Sequence, residues 1–289
     1  MSTIWVDLLG AKVGYYDAGG ISTRCIEAGD GPPVIMLHGV GGHAEAYAPN
    51  IMPLSKRFRA MAIDYLGFGL TDKPDKPPTR DRYVRHLLDF MDAAGIDKAH
   101  LVGESLGGWV ATWTALLHPD RVDKLVSVCG ARIEVETDEE SVRHVDAGRQ
   151  ELKRLTRQFI DNPTRENVRA RLEWLFHDPE DITEELVDIR WALYQRADTQ
   201  RSLQRSAEHM EEGDKAEDVS LTAERLAQIS HRTFMLWTSH NPSTPAATAE
   251  RATAYIPDAM FTVMQDCGHW PQWEDPDTFN HLIEDFLID

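Results

Sequence analysis

The chain has 289 residues, which suits one large domain, or a core with a smaller insert, and allows a substantial buried core. A formal net charge of −18 argues against nucleic acid and anionic membranes as partners. The N-terminus lacks a signal-peptide pattern and no apolar run is long enough to span a bilayer, so we expect a cytoplasmic protein. Three cysteines, an odd number without metal-like spacing, predict neither a disulfide framework nor a metal site.

Strand patterns and helical patterns alternate over most of the chain. Residues 12–16 and 22–26 predict an antiparallel edge hairpin. Apolar runs typical of strands buried on both faces lie at 34–37, 60–63, 99–102, 125–129, 233–237 and 261–264. Helical patterns lie at 43–56, 80–94, 109–117 and 245–255, and Asp275-Pro276 predicts the start of a closing helix. This α/β alternation predicts a parallel sheet with helices on both faces.

The alternation stops at about residue 134. From there to about residue 223 the chain is highly charged and helical periodicity replaces the strand runs, with Pro163 and Pro179 near the starts of new helices. We therefore expect a core formed by residues 1–133 and 224–289. Residues 134–223 are expected to form a helical lid without a buried strand.

The stretch Gly103-Glu104-Ser105-Leu106-Gly107 lies between the strand predicted at 99–102 and the helix that follows it. In this context G-x-S-x-G predicts a nucleophile elbow, in which the serine occupies a strained turn at the start of a helix. The glycines allow the sharp turn, and the second leaves room for strand and helix to pack closely. Ser105 is thus the candidate nucleophile; the alternative is a Gly-rich turn with an incidental serine.

A serine hydroxyl needs a base that removes its proton. His269 follows the last predicted strand and is the candidate base. An oxyanion intermediate also needs two backbone N–H donors. Leu106, directly after the serine, is one candidate, and Val40 or Gly41 in the glycine-rich loop at 38–42 is the other.

Together these residues resemble the α/β-hydrolase fold over essentially the whole chain. The matching parts are His38-Gly39-x-Gly41, Asp64-x-x-Gly67-x-Gly69, the elbow and Gly268-His269. The resemblance implies a mostly parallel eight-stranded sheet with an inserted lid, and the chain order of serine before histidine agrees with it.

A narrower resemblance rests on residues 267–274, Cys-Gly-His-Trp-Pro-Gln-Trp-Glu, and on the lid stretch at 182–191. Both are similar to the meta-cleavage product hydrolases, which cleave a C–C bond in vinylogous 1,5-diketones from aromatic-ring degradation. This resemblance alone implies a homodimer. It also implies that Trp270 and Gly39 line the substrate site.

Arg190 falls within the apolar arc of a predicted lid helix that includes Leu186 and Leu193. An arginine there must pair with another group or reach into a cleft. In the resembled family an arginine at this position holds the substrate's carboxylate, which suits its bidentate fork. The alternative is an arginine whose stem covers apolar surface while its charged head stays in water.

Asn241 stands where the resembled family has the aspartate of the catalytic triad. An amide oxygen can accept a hydrogen bond from His269, but it carries no charge to stabilise an imidazolium. Three interpretations are open: Asn241 suffices, or Glu134 or Glu136 after the sixth strand supplies the acid, or the asparagine was introduced to trap a complex.

Glu104 is a second departure, because the resembled C–C hydrolases usually have asparagine beside the nucleophile. A carboxylate there either repels an anionic dienoate or points away into the sheet.

Our first hypothesis is a hydrolase that cleaves the C–C bond beside a ketone, with Ser105 as nucleophile or as the group that activates water. The alternatives are a carboxylesterase or lactonase with the same residues, and a non-hydrolytic binding protein, lyase or cofactor-free oxygenase. A small-molecule substrate is expected. The sequence contains no metal-ligand cluster and no dinucleotide motif, so we expect no cofactor.

Overall fold

The computed structural model describes residues 3–76, 79–213 and 219–289. The strands are β1 (Lys12–Asp17), β2 (Ser22–Ala28), β3 (Pro33–Leu37), β4 (Arg59–Ile63), β5 (Ala99–Glu104), β6 (Val122–Val128), β7 (Ile133–Glu134), β8 (Leu221–Thr222), β9 (Thr233–Thr238) and β10 (Ala259–Met264).

The helices are α1 (Ile4–Asp7), α2 (Ala48–Leu54), α3 (Arg80–Ala93), α4 (Leu106–Leu117), α5 (Glu139–Asp161), α6 (Arg165–Leu175), α7 (Glu184–Tyr194), α8 (Ala197–Gly213), α9 (Ala223–Leu226), α10 (Ala246–Thr253), α11 (Pro271–Glu274) and α12 (Pro276–Ile288). Short 3₁₀ turns lie at Ala44–Tyr47, Pro119–Arg121 and Pro179–Asp181. The closing helix starts as predicted, because the Asp275 side chain accepts a hydrogen bond from the Thr278 amide and Pro276 follows it.

Eight strands form one sheet in the order β1-β2-β4-β3-β5-β6-β9-β10. The β1–β2 and β2–β4 pairs are antiparallel, and the other five pairs are parallel. The predicted hairpin and the mostly parallel eight-stranded sheet are therefore confirmed. Since the carboxyl ends of parallel strands share an edge, β5, β9 and β10 bring the loops that follow them to one side of the sheet.

Two predictions about elements were wrong. The stretch at 43–56 is not one helix: it begins as a 3₁₀ turn and continues as α2, which has Pro49 in its first turn and Pro53 near its end. A proline donates no backbone hydrogen bond, so this stretch cannot form a long regular helix. The second error concerns the charged insert, which does contain a short strand with a buried residue, Leu221.

That strand pairs with β7, with Ile133 opposite Leu221 and Glu134 opposite Thr222. Two residues are too short for a periodic pattern, which is why the sequence did not predict this ladder. Helices α5 to α8 lie in the chain between the two strands of the ladder. The ladder lies close to both bounds of the lid predicted at 134–223, and that division of the chain stays a prediction.

All three cysteines are buried and free. Among the residues that the structure describes, no helix is both long enough and apolar enough to cross a membrane.

Candidate active site

Ser105 lies at the sharp turn between β5 and α4, with φ 54° and ψ −114°. This backbone conformation is rare for a residue with a side chain. Glycines permit the close packing around it. A Cβ at position 103 would lie 2.2 Å from the Gly107 carbonyl oxygen, and one at position 107 would lie 2.0 Å from the Leu37 carbonyl oxygen. The turn has the geometry that the G-x-S-x-G motif predicts.

The loop after β3 forms a tight turn in which the Gly42 amide donates to the Gly39 carbonyl over 3.0 Å. Gly41 has φ 71°, a conformation that favours glycine. Val40 and Gly41 form the middle of this turn. Among the described residues, the amides of Val40 and Gly41 donate no hydrogen bond, and the amide of Leu106 lies in the first turn of α4 where a helix offers no acceptor.

His38 fixes the start of this turn. Its Nε2 accepts a hydrogen bond from the Tyr65 amide over 3.1 Å, so Nδ1 carries the proton and donates to the Gly39 carbonyl over 2.7 Å. Burial lowers the pKa of His38 to about 3, so the ring is neutral. His38 therefore shapes the loop and does not act as a base.

Two residues of the predicted lid hold the same turn. Arg190 Nη2 and the Tyr194 hydroxyl both donate to the Gly41 carbonyl, over 2.8 and 2.6 Å. Arg190 is 1% exposed, and its guanidinium lies 5.0 Å from the centre of the Trp270 ring. Its Nη1 is buried without a hydrogen-bond partner among the described residues. The arginine thus reaches into the site, with one donor group unused.

Asn241 faces one nitrogen of the His269 ring, with 3.0 Å between Oδ1 and Nδ1. The same oxygen accepts hydrogen bonds from the Ser243 amide and hydroxyl, over 3.0 and 2.9 Å. Because a backbone amide can only donate, the atom that faces it must be the oxygen. Nδ1 of His269 therefore carries a proton and Nε2 is free to accept one.

Glu104 faces the other nitrogen, with 3.1 Å between Oε1 and Nε2 of His269. The carboxylate is 1% exposed, and neither oxygen has a well-aligned hydrogen bond among the described residues. It does not point away into the sheet: a Cβ at position 39 would lie 2.6 Å from Oε2 and 3.0 Å from Ser105 Cβ. Ser105 Oγ makes no hydrogen bond to His269 in the described part of the chain. Because two bare acceptors at 3.1 Å would repel, a proton between Oε1 and Nε2 would stabilise this contact.

Glu274 holds the backbone on both sides of His269. Its carboxylate accepts hydrogen bonds from the amides of Gly268 and Trp270, over 2.8 and 3.0 Å, and from the lid residue His177 over 2.7 Å. Burial raises the pKa of this carboxyl, and the three amide donors oppose that shift. Glu274 positions the loop of the candidate base.

The structure brings together most of the residues predicted for the site. His269 faces Asn241 on one side and Glu104, the neighbour of Ser105 in the elbow, on the other, and Arg190 lies over the ring of Trp270. Glu134 and Glu136 do not take part, because both are exposed and neither contacts His269.

Sequence reasoning missed three residues that contact or flank the site. These are Tyr194, Glu274 and Arg171. Arg171 had a signal of the same kind as Arg190, a charge on the apolar face of a lid helix. Tyr194 and Glu274 had none, since their roles depend on which backbone groups the fold places beside them.

A surface cluster at the junction of lid and core brings His177, His240 and Asp266 together, with their ligand atoms within 4.8 Å. The two imidazoles stack face to face, with ring centres 3.7 Å apart. Stacked rings direct their in-plane lone pairs past one another. The cluster is exposed and gives no ground for a metal site.

Comparison with known proteins agrees with this geometry. A family model described as alpha/beta hydrolase fold matches residues 32–276. The chain therefore belongs to the α/β-hydrolase family and, like its curated relatives, is a hydrolase.

Two curated relatives are similar over nearly their whole length. A 2-hydroxy-6-oxo-6-phenylhexa-2,4-dienoate hydrolase of Burkholderia cepacia is 33% identical over 90% of this chain and 89% of its own. A 2-hydroxy-6-oxononadienedioate/2-hydroxy-6-oxononatrienedioate hydrolase of Pseudomonas putida is 32% identical over 88% of this chain and 87% of its own. The solved structure of a serine hydrolase involved in carbazole degradation is 28% identical, with a TM-score of 0.81, over 96% of this chain and 99% of that one.

Proposed function

We propose that the protein hydrolyses the C–C bond beside the ketone of a 2-hydroxy-6-oxo-2,4-dienoate, a product of aromatic-ring cleavage. The observation that carries this proposal is Arg190, a buried guanidinium stacked on Trp270 with Nη1 unpartnered. A neutral ester would leave this charge uncompensated, whereas the carboxylate of a dienoate neutralises it. The names of the curated relatives support the same substrate class.

In the proposed reaction His269 first moves the dienol proton to the carbon that will leave. Ser105 then attacks the ketone carbon, or activates a water that does so, and the amides of Leu106 and of Val40 or Gly41 bind the oxyanion. The electron pair of the C–C bond passes into the conjugated keto acid, which leaves as a dienolate and is protonated. One water is consumed, and its oxygen stays on the acyl carbon as a carboxylate.

Glu104 has a role in this proposal that compensates for Asn241. The imidazolium of His269 needs a negative charge nearby, and the amide of Asn241 supplies only the correct tautomer. Two unit charges about 4 Å apart attract by about 4 kcal/mol at an effective dielectric constant of 20, which an amide cannot match. We infer that Glu104 and His269 share one proton and that Glu104 provides this charge from the Nε2 side.

The test compares turnover of a coloured 6-phenyl dienoate with turnover of a panel of p-nitrophenyl esters. We expect bleaching of the dienoate at a rate well above ester hydrolysis, and a loss of at least about 10³-fold in Ser105→Ala. Strong ester turnover without bleaching would instead support a carboxylesterase or lactonase. Labelling with a fluorophosphonate tests the third alternative, a protein without hydrolytic activity. A folded protein that does not react at Ser105 would be a binding protein.

We also propose, from the resemblance to these relatives, that the enzyme works in the cytoplasm as a homodimer on a small-molecule substrate. Sedimentation equilibrium over a range of protein concentrations tests the dimer, and a single species of monomer mass would contradict it. No metal ion or organic cofactor enters the proposed reaction.

A further inference from the structure

Arg171 occupies a position in α6 where an apolar residue is expected. The buried face of this helix consists of Val168, Arg171, Leu172 and Leu175, which have the i, i+3, i+4, i+7 spacing of one helical stripe. The far end of the stripe meets the candidate base, because the Leu175 carbonyl accepts the His269 amide over 2.6 Å. The stripe that carries Arg171 therefore faces the active site.

No carboxylate of the described residues forms an ion pair with Arg171. The residue is 8% exposed, and no ion pair or hydrogen bond to its guanidinium exists among the described residues. Nη1 is buried without a hydrogen-bond partner among the described residues, and the centre of the Trp174 ring lies 5.3 Å from the guanidinium carbon. Burial of an unpaired charge is costly, and an anionic ligand would offset that cost.

Arg190 is the second unsatisfied guanidinium in the same place. It too leaves Nη1 buried and free, and its charge acts on Arg171. Burial, followed by the repulsion of Arg190, lowers the pKa of Arg171 to about 10, while Tyr194 and Glu104 oppose this shift. Arg171 therefore stays charged at neutral pH, and both arginines are buried away from water.

The charges of the site leave this pair uncompensated. With the one proton that we infer between them, Glu104 and His269 together contribute no net charge. Arg171 and Arg190 contribute two positive charges. A substrate with a single carboxylate neutralises only one of them.

We propose that Arg171 and Arg190 form a two-guanidinium site for a substrate with two carboxylates, a dienoate whose substituent beyond the ketone ends in a second acid group. This inference rests on the proposed function, since it names the substrate class of the same site. Arg190 takes the dienoate carboxylate and Arg171 takes the distal one. Each hydrogen bond between a guanidinium and a carboxylate joins a charged donor to a charged acceptor, and such hydrogen bonds are stronger than neutral ones.

The kinetic test uses two substrates that differ only in charge: a 6-oxo dienoate with a carboxylate-terminated side chain, and its analogue with a methyl-terminated chain of equal length. We expect the wild-type KM to be at least about tenfold lower for the diacid. Arg171→Met is expected to raise the diacid KM about 10- to 100-fold and to change the KM of the analogue less than threefold.

Arg169→Met is the matched control, because it makes the same change on the same helix at an arginine that is paired with Glu184 near the surface. It should change neither KM. Equal KM values for the two substrates in the wild type would overturn the proposal, as would an Arg171→Met variant that raises both KM values alike.

A binding measurement separates this proposal from the proposed function. Calorimetry with unreactive saturated diacids, from succinate to suberate, and with the monoacids of equal length needs no turnover. We expect at least one diacid to bind at least about tenfold more tightly than its monoacid, and Arg171→Met to abolish that difference. If the diacid preference holds while no dienoate is hydrolysed, the reaction is wrong and the site stands. If dienoates are hydrolysed without a diacid preference in either experiment, the site is wrong and the reaction stands.

Discussion

The two nitrogens of the His269 ring face opposite kinds of partner. On the Nδ1 side, Asn241 offers a neutral oxygen that Ser243 holds in place with two hydrogen bonds. On the Nε2 side, Glu104 offers a buried carboxylate that has no hydrogen-bond donor other than His269 in the described part of the chain. One side is ordered and uncharged, whereas the other is charged and free to shift.

This difference indicates that two different residues can perform the two functions of a triad acid. An aspartate in a serine hydrolase both fixes the tautomer of the histidine and stabilises its charged form. Here Asn241 performs the first task, and we infer that Glu104 performs the second from the opposite side of the ring. Glu104 stands beside Ser105 in the chain, so the elbow positions the charge together with the nucleophile.

The largest effect on kcat is expected when the negative charge of Glu104 is removed. Glu104→Gln keeps the size of the side chain but removes its charge, and we expect kcat for the preferred dienoate to fall about 10²- to 10³-fold. Glu136→Gln removes an exposed carboxylate elsewhere and should leave kcat unchanged. Steady-state kinetics of the two variants check this, and an unchanged kcat in Glu104→Gln would show that the carboxylate is a bystander.

A smaller effect is expected from the loop that holds the ring between its two partners. Glu274→Gln leaves one oxygen for three amide donors, so the backbone at Gly268 and Trp270 loses part of its support. We expect kcat to fall about tenfold with a smaller change in KM, because the base is misplaced while Arg190 still binds the carboxylate. A KM change that exceeds the kcat change would argue that Glu274 orders the substrate site instead.

The smallest effect is expected from the pH dependence of Arg171, one of the two arginines near Glu104 and His269. The guanidinium of Arg171 binds an anion only when protonated, and its pKa is about 10, so affinity should weaken as pH rises through that value. We expect the diacid KM to rise about fourfold between pH 8 and pH 10.5, where about a quarter of a group with this pKa remains charged. Arg171→Met should lack this rise, and a rise of equal size in the variant would assign it to another group.

Much of the fold follows from local patterns. The six apolar runs, the elbow glycines and the Asp275-Pro276 start were sufficient because strand burial, tight turns and helix caps depend on neighbours in the chain. The β7–β8 ladder was not predictable, since two residues carry no period.

The candidate site divides in the same way. Its serine and histidine stand at motif positions, and the apolar arc of α7 was enough to single out Arg190. Two further features depend on packing between loops that are far apart in the sequence. These are the direction of the Glu104 side chain and the hydrogen bonds by which Ser243 orients Asn241. Arg171 was within reach of the same reasoning as Arg190, because it interrupts an apolar stripe in α6.

The most direct measurement is kcat for the preferred dienoate in Asn241→Asp, introduced both into the wild type and into Glu104→Gln. If Glu104 supplies the charge, the aspartate should raise kcat at least about tenfold in Glu104→Gln, where it restores a lost charge. In the wild type it should change kcat less than about threefold, since it adds a second carboxylate beside the same ring. A rise of several orders of magnitude in the wild type, together with no loss in Glu104→Gln, would contradict this division of tasks and make Asn241 a lesion in an ordinary triad.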